Sequence, residues 1–241
     1  MFRTAIIAVF LTLYTIVVGP PVLLLTWFSG SVDLLYHAGL GGVMWVCRAV
    51  GLRVRVEGRE NVPSGVCIFV ANHTSNADPP AIVSAIPRRI AILAKESLFH
   101  IPIVGWAFRL AHFVPVDRAD REAAMASVEK AIEYLKQGDS FLVYAEGTRS
   151  GDGRLGAFKK GSFVMAIKAG VPIVPMVCIG AHRVMRKGEL KIRPGEVVVR
   201  FLAPIDAAEY TLEQRDELMA RVHDAMAAAL PPDQQPLPQP S

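Results

Sequence analysis

The sequence predicts an α/β domain, a mixed and mainly parallel sheet covered by helices, behind a hydrophobic helix-break-helix membrane anchor. Three observations carry this. From residue 51 onward, short apolar runs of strand length alternate with amphipathic helical stretches. The first 50 residues are almost continuously apolar. The 241-residue chain is 52% hydrophobic and only 20% charged, below the ~25% charge of a typical soluble domain. That apolar content excludes global disorder.

In the N-terminal part, Ala5–Val18 is apolar, Gly19-Pro20-Pro21 interrupts, and Val22–Phe28 and Val32–Val50 are apolar again. A signal peptide accounts for Arg3 and the first run, but no A-x-A cleavage site follows. A single span needs about 20 apolar residues, which Ala5–Phe28 reaches only through two prolines. The third reading is a hairpin in which Ala5–Val18 and Val32–Val50 lie side by side in one leaflet. Trp27, Tyr36 and Trp45 suit an interfacial belt, and Arg48, Arg53 and Arg55 place the following domain on the cytoplasmic face.

The domain is expected over residues 51–230. Arg53–Glu57 alternates as a half-buried strand does, and Val66–Ala71, Ile90–Ala94 and Phe141–Ala145 are short apolar runs suited to central strands. Arg121–Gln137 is a helix with Met125, Val128, Ile132 and Leu135 on one face and Gly138 as its C-cap. Lys160–Ala169 is a second helix, stopped by Gly170. Val171–Val177 and Glu196–Leu202 read as strands, and the Thr211–Gln214 capping box opens a last helix to about Leu230. Pro231–Ser241, rich in proline and glutamine, is expected to be a disordered tail. Strands alternating with helices imply a mainly parallel sheet covered on both faces.

Cys47, Cys67 and Cys178 are odd in number and lack C-x-x-C spacing. They read as buried thiols in a reducing compartment rather than disulfides or metal ligands, so no metal is expected. Net charge is +4. That balance fits an anionic membrane surface or a phosphorylated substrate, and the absence of basic runs with interleaved aromatics argues against nucleic acid.

Two H-x4-D pairs occur, and local structure separates them. His112-Phe-Val-Pro-Val-Asp117 reads as extended, which puts its ends ~16 Å apart at about 3.3 Å per residue. His73 and Asp78 instead lie in a polar loop, Asn72 to Pro80, between a buried strand and a helix start marked by Pro79-Pro80. Such a loop can fold Asp78 back onto His73, leaving the other ring nitrogen to accept a proton, as a general base requires. A capping or loop histidine is the plainer alternative. Glu146-Gly147-Thr148-Arg149-Ser150 follows another buried strand. Its amides, hydroxyl and guanidinium make an anion site, and a simple turn with a surface ion pair is its alternative.

Together, Asn72-His73-x4-Asp78, Glu146-Gly147-Thr148-Arg149-Ser150 and Val171-Pro172-Ile173-Val174-Pro175 resemble the glycerolipid acyltransferases in order and spacing, most closely the 1-acylglycerol-3-phosphate (lysophosphatidate) acyltransferases. Lys95–Phe99 with Pro102, Gly105 and Pro115–Arg118 resembles that family's second block, and the likeness spans about residues 50–205. Two positions depart from it: Ala145 stands where proline is common, and His112 where glycine is common. The resemblance implies transfer of a fatty acyl group from an acyl-CoA or acyl carrier protein thioester to the sn-2 hydroxyl of lysophosphatidate, with no other cofactor. His73 would be the base and Asp78 its orienting partner. Arg149 would hold the acceptor phosphate, with Arg118 and Lys95 behind it, and Glu146, Gly147 and Thr148 would complete that site. Backbone amides or Asn72 would hold the oxyanion. Ser75 reads as a loop-stabilising hydroxyl rather than a nucleophile. Another lyso-lipid or glycerol-3-phosphate as acceptor, a lysophospholipid hydrolase and a non-catalytic membrane binder are the alternatives.

Overall fold

The structure is a computed structural model that describes residues 2–117, 120–189 and 191–237. In chain order the elements are α1 (Phe2–Ser29), α2 (Asp33–Ala49), β1 (Leu52–Glu57), β2 (Ile68–Ala71), α3 (Asp78–Ala85), β3 (Ile90–Lys95), α4 (Val104–Leu110), β4 (Val114–Val116), α5 (Arg121–Lys136), β5 (Ser140–Tyr144), α6 (Gly161–Ala169), β6 (Ile173–Ile179), α7 (Ala181–Val184), β7 (Gly195–Phe201) and α8 (Arg215–Ala229). Among the described residues the strands form one sheet of order β1-β7-β6-β2-β5-β3-β4. Each neighbouring pair is parallel except β6 and β7.

The central strand β2 is buried at every position. This is why it reads as a continuous apolar run: a parallel strand covered on both faces has no solvent side to alternate toward. One face packs Phe69, Leu142 and Val199 against Ile82 of α3 and Cys47 of α2. The other packs Ile68, Phe141 and Val177 against Ala131 of α5, Phe163 of α6 and Val222 of α8. Asp120 caps α5 by accepting the Glu122 and Ala123 N–H groups. Gly170 closes α6 in the left-handed conformation, φ 64°.

Two sequence expectations are corrected here. The first is the position of the N-terminal break. Helix α1 continues through Pro20 and Pro21. It stops at Gly30, whose φ of 68° only glycine adopts freely and whose N–H bonds the Thr26 carbonyl. Each proline removes one helical N–H, but the turns on either side remain paired, and Gly19 lets α1 seat against Ile103, whose Cγ2 would lie 2.5 Å from a Cβ there. The helix pair itself is present. Phe10 stacks on Trp45 at 3.8 Å, and the Tyr14 hydroxyl donates to the Ala38 carbonyl at 2.9 Å. The second correction is the tail. Over residues 231–237 it is placed against the domain, with Gln234 fully buried; residues 238–241 lie outside the described residues.

Helix α1 carries a 25-residue stretch, Ala5–Ser29, long and apolar enough to cross a membrane, with mean hydropathy 2.2. Trp27 and Phe28 are each more than 70% exposed. Helix α2, with 17 residues, is shorter than a span requires.

The pairing of α1 and α2 depends on one glycine. A Cβ at Gly42 would stand 2.8 Å from the Tyr14 ring, whereas Gly41 faces open space. Thermal unfolding in detergent should therefore show opposite signs for neighbouring substitutions. Gly41→Ala gains up to about 1 kcal/mol of helix propensity, and Gly42→Ala loses stability by forcing Tyr14 off Ala38.

Candidate active site

The register of two central strands builds the site. Ala71 of β2 sits opposite Tyr144 of β5. Two residues beyond each, His73 and Glu146 emerge side by side at the carboxyl edge of the sheet, the edge where open α/β sheets place their ligands.

Asp78 opens α3 and is completely buried. A buried carboxylate must be hydrogen-bonded on all sides, and this one is. Its Oδ2 accepts the Thr74 N–H at 2.6 Å, the Ser75 N–H at 2.7 Å and His73 Nδ1 at 2.9 Å, while the Thr74 hydroxyl donates to Oδ1 at 3.3 Å. The bond to an ionised Asp78 keeps the ring proton on Nδ1, so Nε2 presents its lone pair outward. The Tyr144 ring stacks on the imidazole, with centroids 4.1 Å apart. Sequence reasoning missed this residue, because its pattern position reads only as part of a buried strand. Its negative π-face suits an imidazolium. Ser75 is engaged as a loop hydroxyl, donating to the Met185 carbonyl at 2.6 Å and accepting the Ala77 N–H at 2.9 Å.

Glu146 and the loop after it clasp His73. Glu146 Oε1 accepts the His73 N–H at 2.9 Å, and the His73 carbonyl accepts the Ser150 N–H at 2.7 Å. Burial pushes the Glu146 carboxyl up to about 7, against the hydrogen bonds from the His73 and Gly156 amides that draw it down. Gly147 holds φ 71°, and a Cβ there would meet Lys159 at 2.8 Å. Arg149 reaches back over the first loop: its Nη1 donates to Asn76 Oδ1 at 2.8 Å, and Lys187 Nζ donates to its carbonyl at 2.7 Å. A surface ion pair between Arg149 and Glu146 is not what forms. Instead the guanidinium lies beside the histidine loop on an uncharged partner. Thr148 is exposed at the same rim. Glu146, Thr148, Arg149 and Arg154 share a cleft of about 660 Å³ with Pro236 and Leu237.

The other expected site residues fall differently. Lys95 is exposed at the carboxyl end of β3, on the same sheet edge. Arg118 lies outside the described residues. Asn72 is corrected: it is fully buried, its Nδ2 donates to the Cys178 carbonyl at 3.1 Å, and its Oδ1 accepts the Cys178 N–H at 2.7 Å. Both ends of the amide are committed to strand β6, so it braces the loop rather than facing a reacting carbonyl. His112 precedes β4 with φ 59°, in the left-handed region that favours the glycine common at this position. Its Nδ1 bonds Asp139 Oδ2 at 2.6 Å and its ring stacks on Tyr134 at 4.3 Å. Asp139 leads into the amino end of β5, the edge opposite His73.

Strands, loops and dyad define an α/β enzyme with a histidine–carboxylate pair beside an arginine-bearing loop. Residues 53–179 match the Acyltransferase family model. The chain is 34% identical over 220 residues to a 1-acyl-sn-glycerol-3-phosphate acyltransferase of Limnanthes alba, covering 90% of this chain and 77% of that one. It is 33% identical over 184 residues to the enzyme of the same description from Saccharomyces cerevisiae, covering 75% and 61%. The crystal structure of the 1-acyl-sn-glycerophosphate (LPA) acyltransferase PlsC from Thermotoga maritima superposes with a TM-score of 0.81 at 32% identity, over 95% of this chain and 93% of that one. The chain belongs to the acyltransferase family.

The raised Glu146 carboxyl has a consequence for stability. Between its ordinary value near 4.5 and about 7, the folded protein binds a proton that the unfolded chain does not. The stability this group contributes is fully present below pH 4.5 and is lost as pH rises through about 7. Thermal unfolding followed across that window should show a smaller pH slope in Glu146→Gln than in the parent protein. An unchanged slope would place the titration on another group.

Proposed function

We propose that this enzyme transfers a fatty acyl group from an acyl thioester, on CoA or acyl carrier protein, to the free sn-2 hydroxyl of 1-acylglycerol-3-phosphate, giving phosphatidate. The observation that carries this reading is Arg149 bonded to Asn76 of the His73 loop. It sets a phosphate-binding guanidinium beside a histidine with one free nitrogen, and the relatives named above act on a matching acceptor.

In this reading His73 Nε2 removes the proton from the acceptor hydroxyl as that oxygen attacks the thioester carbonyl. Asp78 stabilises the imidazolium through Nδ1. The tetrahedral oxyanion is held by backbone amides, since Asn72 is occupied by Cys178. The intermediate collapses with cleavage of the C–S bond, and the imidazolium proton passes to the departing sulfur. Arg149 holds the acceptor phosphate with two parallel N–H bonds, a geometry that lysine does not offer. Thr148 and the Gly147 backbone complete the phosphate site, Lys95 lends charge from the neighbouring strand end, Arg118 is assigned to the same role by its motif, and no metal or further cofactor takes part.

The helix pair anchors this domain in one leaflet, on the cytoplasmic side. Ile7 is buried in the cluster that α2 shares with the sheet, and Gly19 of α1 seats against Ile103 of the domain. Ile7 and Gly19 are 12 residues apart, ~18 Å at 1.5 Å per residue. The seat of Gly19 on Ile103 holds the middle of α1 against the domain, which supports a helix lying beside it.

His73→Ala should lower kcat at least about 10²-fold, the low end for loss of a general base, and Asp78→Asn should also be severe. His112→Ala, on the far edge, should cost little; the reverse ranking would refute the assignment of the base.

For Arg149→Ala, loss of a charge-assisted pair costs about 1.5–3 kcal/mol, roughly ten- to a hundred-fold in acceptor KM, with a much smaller change for the acyl donor. Arg149→Lys should recover part of it. Equal losses for lysophosphatidate and a phosphate-free analogue would remove Arg149 as the phosphate ligand.

A further inference from the structure

The family match ends at residue 179, and nothing in the chemistry above uses the chain beyond α8. Yet the segment after α8 is tied to the acceptor loop by hydrogen bonds from both backbone and side chain. Gln234 is fully buried, and its side-chain amide and backbone carbonyl are engaged by two separate parts of the chain. Its Oε1 accepts the Gly180 N–H at 3.0 Å, at the end of β6. Its Nε2 points to the Gly153 carbonyl at 3.5 Å, and its backbone carbonyl accepts the Leu155 N–H at 2.9 Å. Its own N–H closes a turn onto Pro231. On the surface Arg154 Nη1 donates to the carbonyls of Pro232 and Gln235 at 3.2 and 2.9 Å, and Arg183 pairs with Asp233 at 2.6 Å.

These contacts fall on Gly153–Leu155, the return limb of the loop that carries Glu146, Thr148 and Arg149. Asp152 and Ser150 brace that limb internally, since Asp152 Oδ1 accepts from the Ser150 hydroxyl and the Arg154 N–H. Without residues 231–237 the Leu155 N–H and the Gly153 carbonyl would have to find water, and the limb would lose its attachment to β6. The segment also supplies part of the cleft wall. Pro236 and Leu237 line the cavity shared with Arg149, and Leu237 is an apolar side chain 65% exposed at its rim. Pro231 and Pro232 restrict the free chain, so less entropy is lost when it is laid down.

We propose that Pro231–Leu237 is a working part of the acceptor site: Gln234 is a positioning residue that fixes the Glu146–Gly156 loop, and Pro236 and Leu237 form a wall of the cleft that receives the lysophospholipid. The inference deepens the assignment of Arg149 to the acceptor phosphate and rests on it.

The test compares the full chain with a truncation after Leu230 and with Gln234→Ala, all in detergent micelles, varying lysophosphatidate and acyl-CoA in turn. The truncation should raise the acceptor KM about tenfold or more, the scale on which a small misplacement of a binding group acts, while the donor KM stays within about twofold. Gln234→Ala should lie between the two. Amide hydrogen exchange should accelerate in residues 147–156 and not in β2 or β5. The proposal is overturned if the acceptor KM is unchanged, or if kcat falls in step with the folded fraction while both KM values hold, as a purely structural segment would produce. Arg149→Ala is assayed alongside. If it raises the acceptor KM and the truncation does not, the tail assignment fails and the phosphate assignment stands. If the truncation raises the acceptor KM and Arg149→Ala does not, the tail belongs to the acceptor site and the phosphate ligand is another residue.

Discussion

The site depends on one constraint, the burial of the Asp78 carboxylate. A carboxylate at zero exposure is tolerable only if its oxygens are saturated by donors, and the donors available are those of its own loop. The Thr74 and Ser75 amides turn inward to meet it, and this bends the chain so that His73 Nδ1 falls at 2.9 Å. The tautomer of the histidine, the exposure of its other nitrogen and the start of α3 follow from the same act of charge satisfaction. Pro79 and Pro80 suit the first turn of that helix because their missing N–H groups have no partner to lose there.

Around this centre the protein joins loops that the chain keeps far apart. The His73 backbone is held on both sides by the Glu146 loop, Asn72 is locked to β6, and Ser75 to the loop after α7. Helix α3 is backed by α2, so the element that carries Asp78 rests directly on the second N-terminal helix. The tail closes the arrangement from the other side through Gln234.

The paired loops also explain why Glu146 is placed where its charge is costly. It sits close to Asp78 with little water, and its carboxyl rises to about 7. Two backbone amides, from His73 and Gly156, partly offset that cost. A residue in this position ties the His73 loop to the loop that runs from Glu146 to Gly156.

Much of this was legible in the sequence. Buried parallel strands announce themselves as apolar runs, capping glycines mark helix ends, and a polar loop between a strand and a Pro-Pro helix start is a local signal for the folding-back of Asp78. The extended run after His112 was also readable, and it forms β4. What the sequence did not determine were properties of contacts between distant segments. Asn72 looks like a site residue until Cys178, 106 positions later, takes both ends of its amide. Tyr144 looks like any strand residue until the β2–β5 register lays its ring against His73. Pro20-Pro21 reads as a break because a local rule counts lost hydrogen bonds, while the packing of Gly19 on Ile103 and the left-handed Gly30 decide where the helix ends. The Pro/Gln-rich tail reads as disordered because its composition offers no core of its own; residues 231–237 are held in place because a folded surface elsewhere supplies, for one glutamine, the partners that its neighbours in sequence lack.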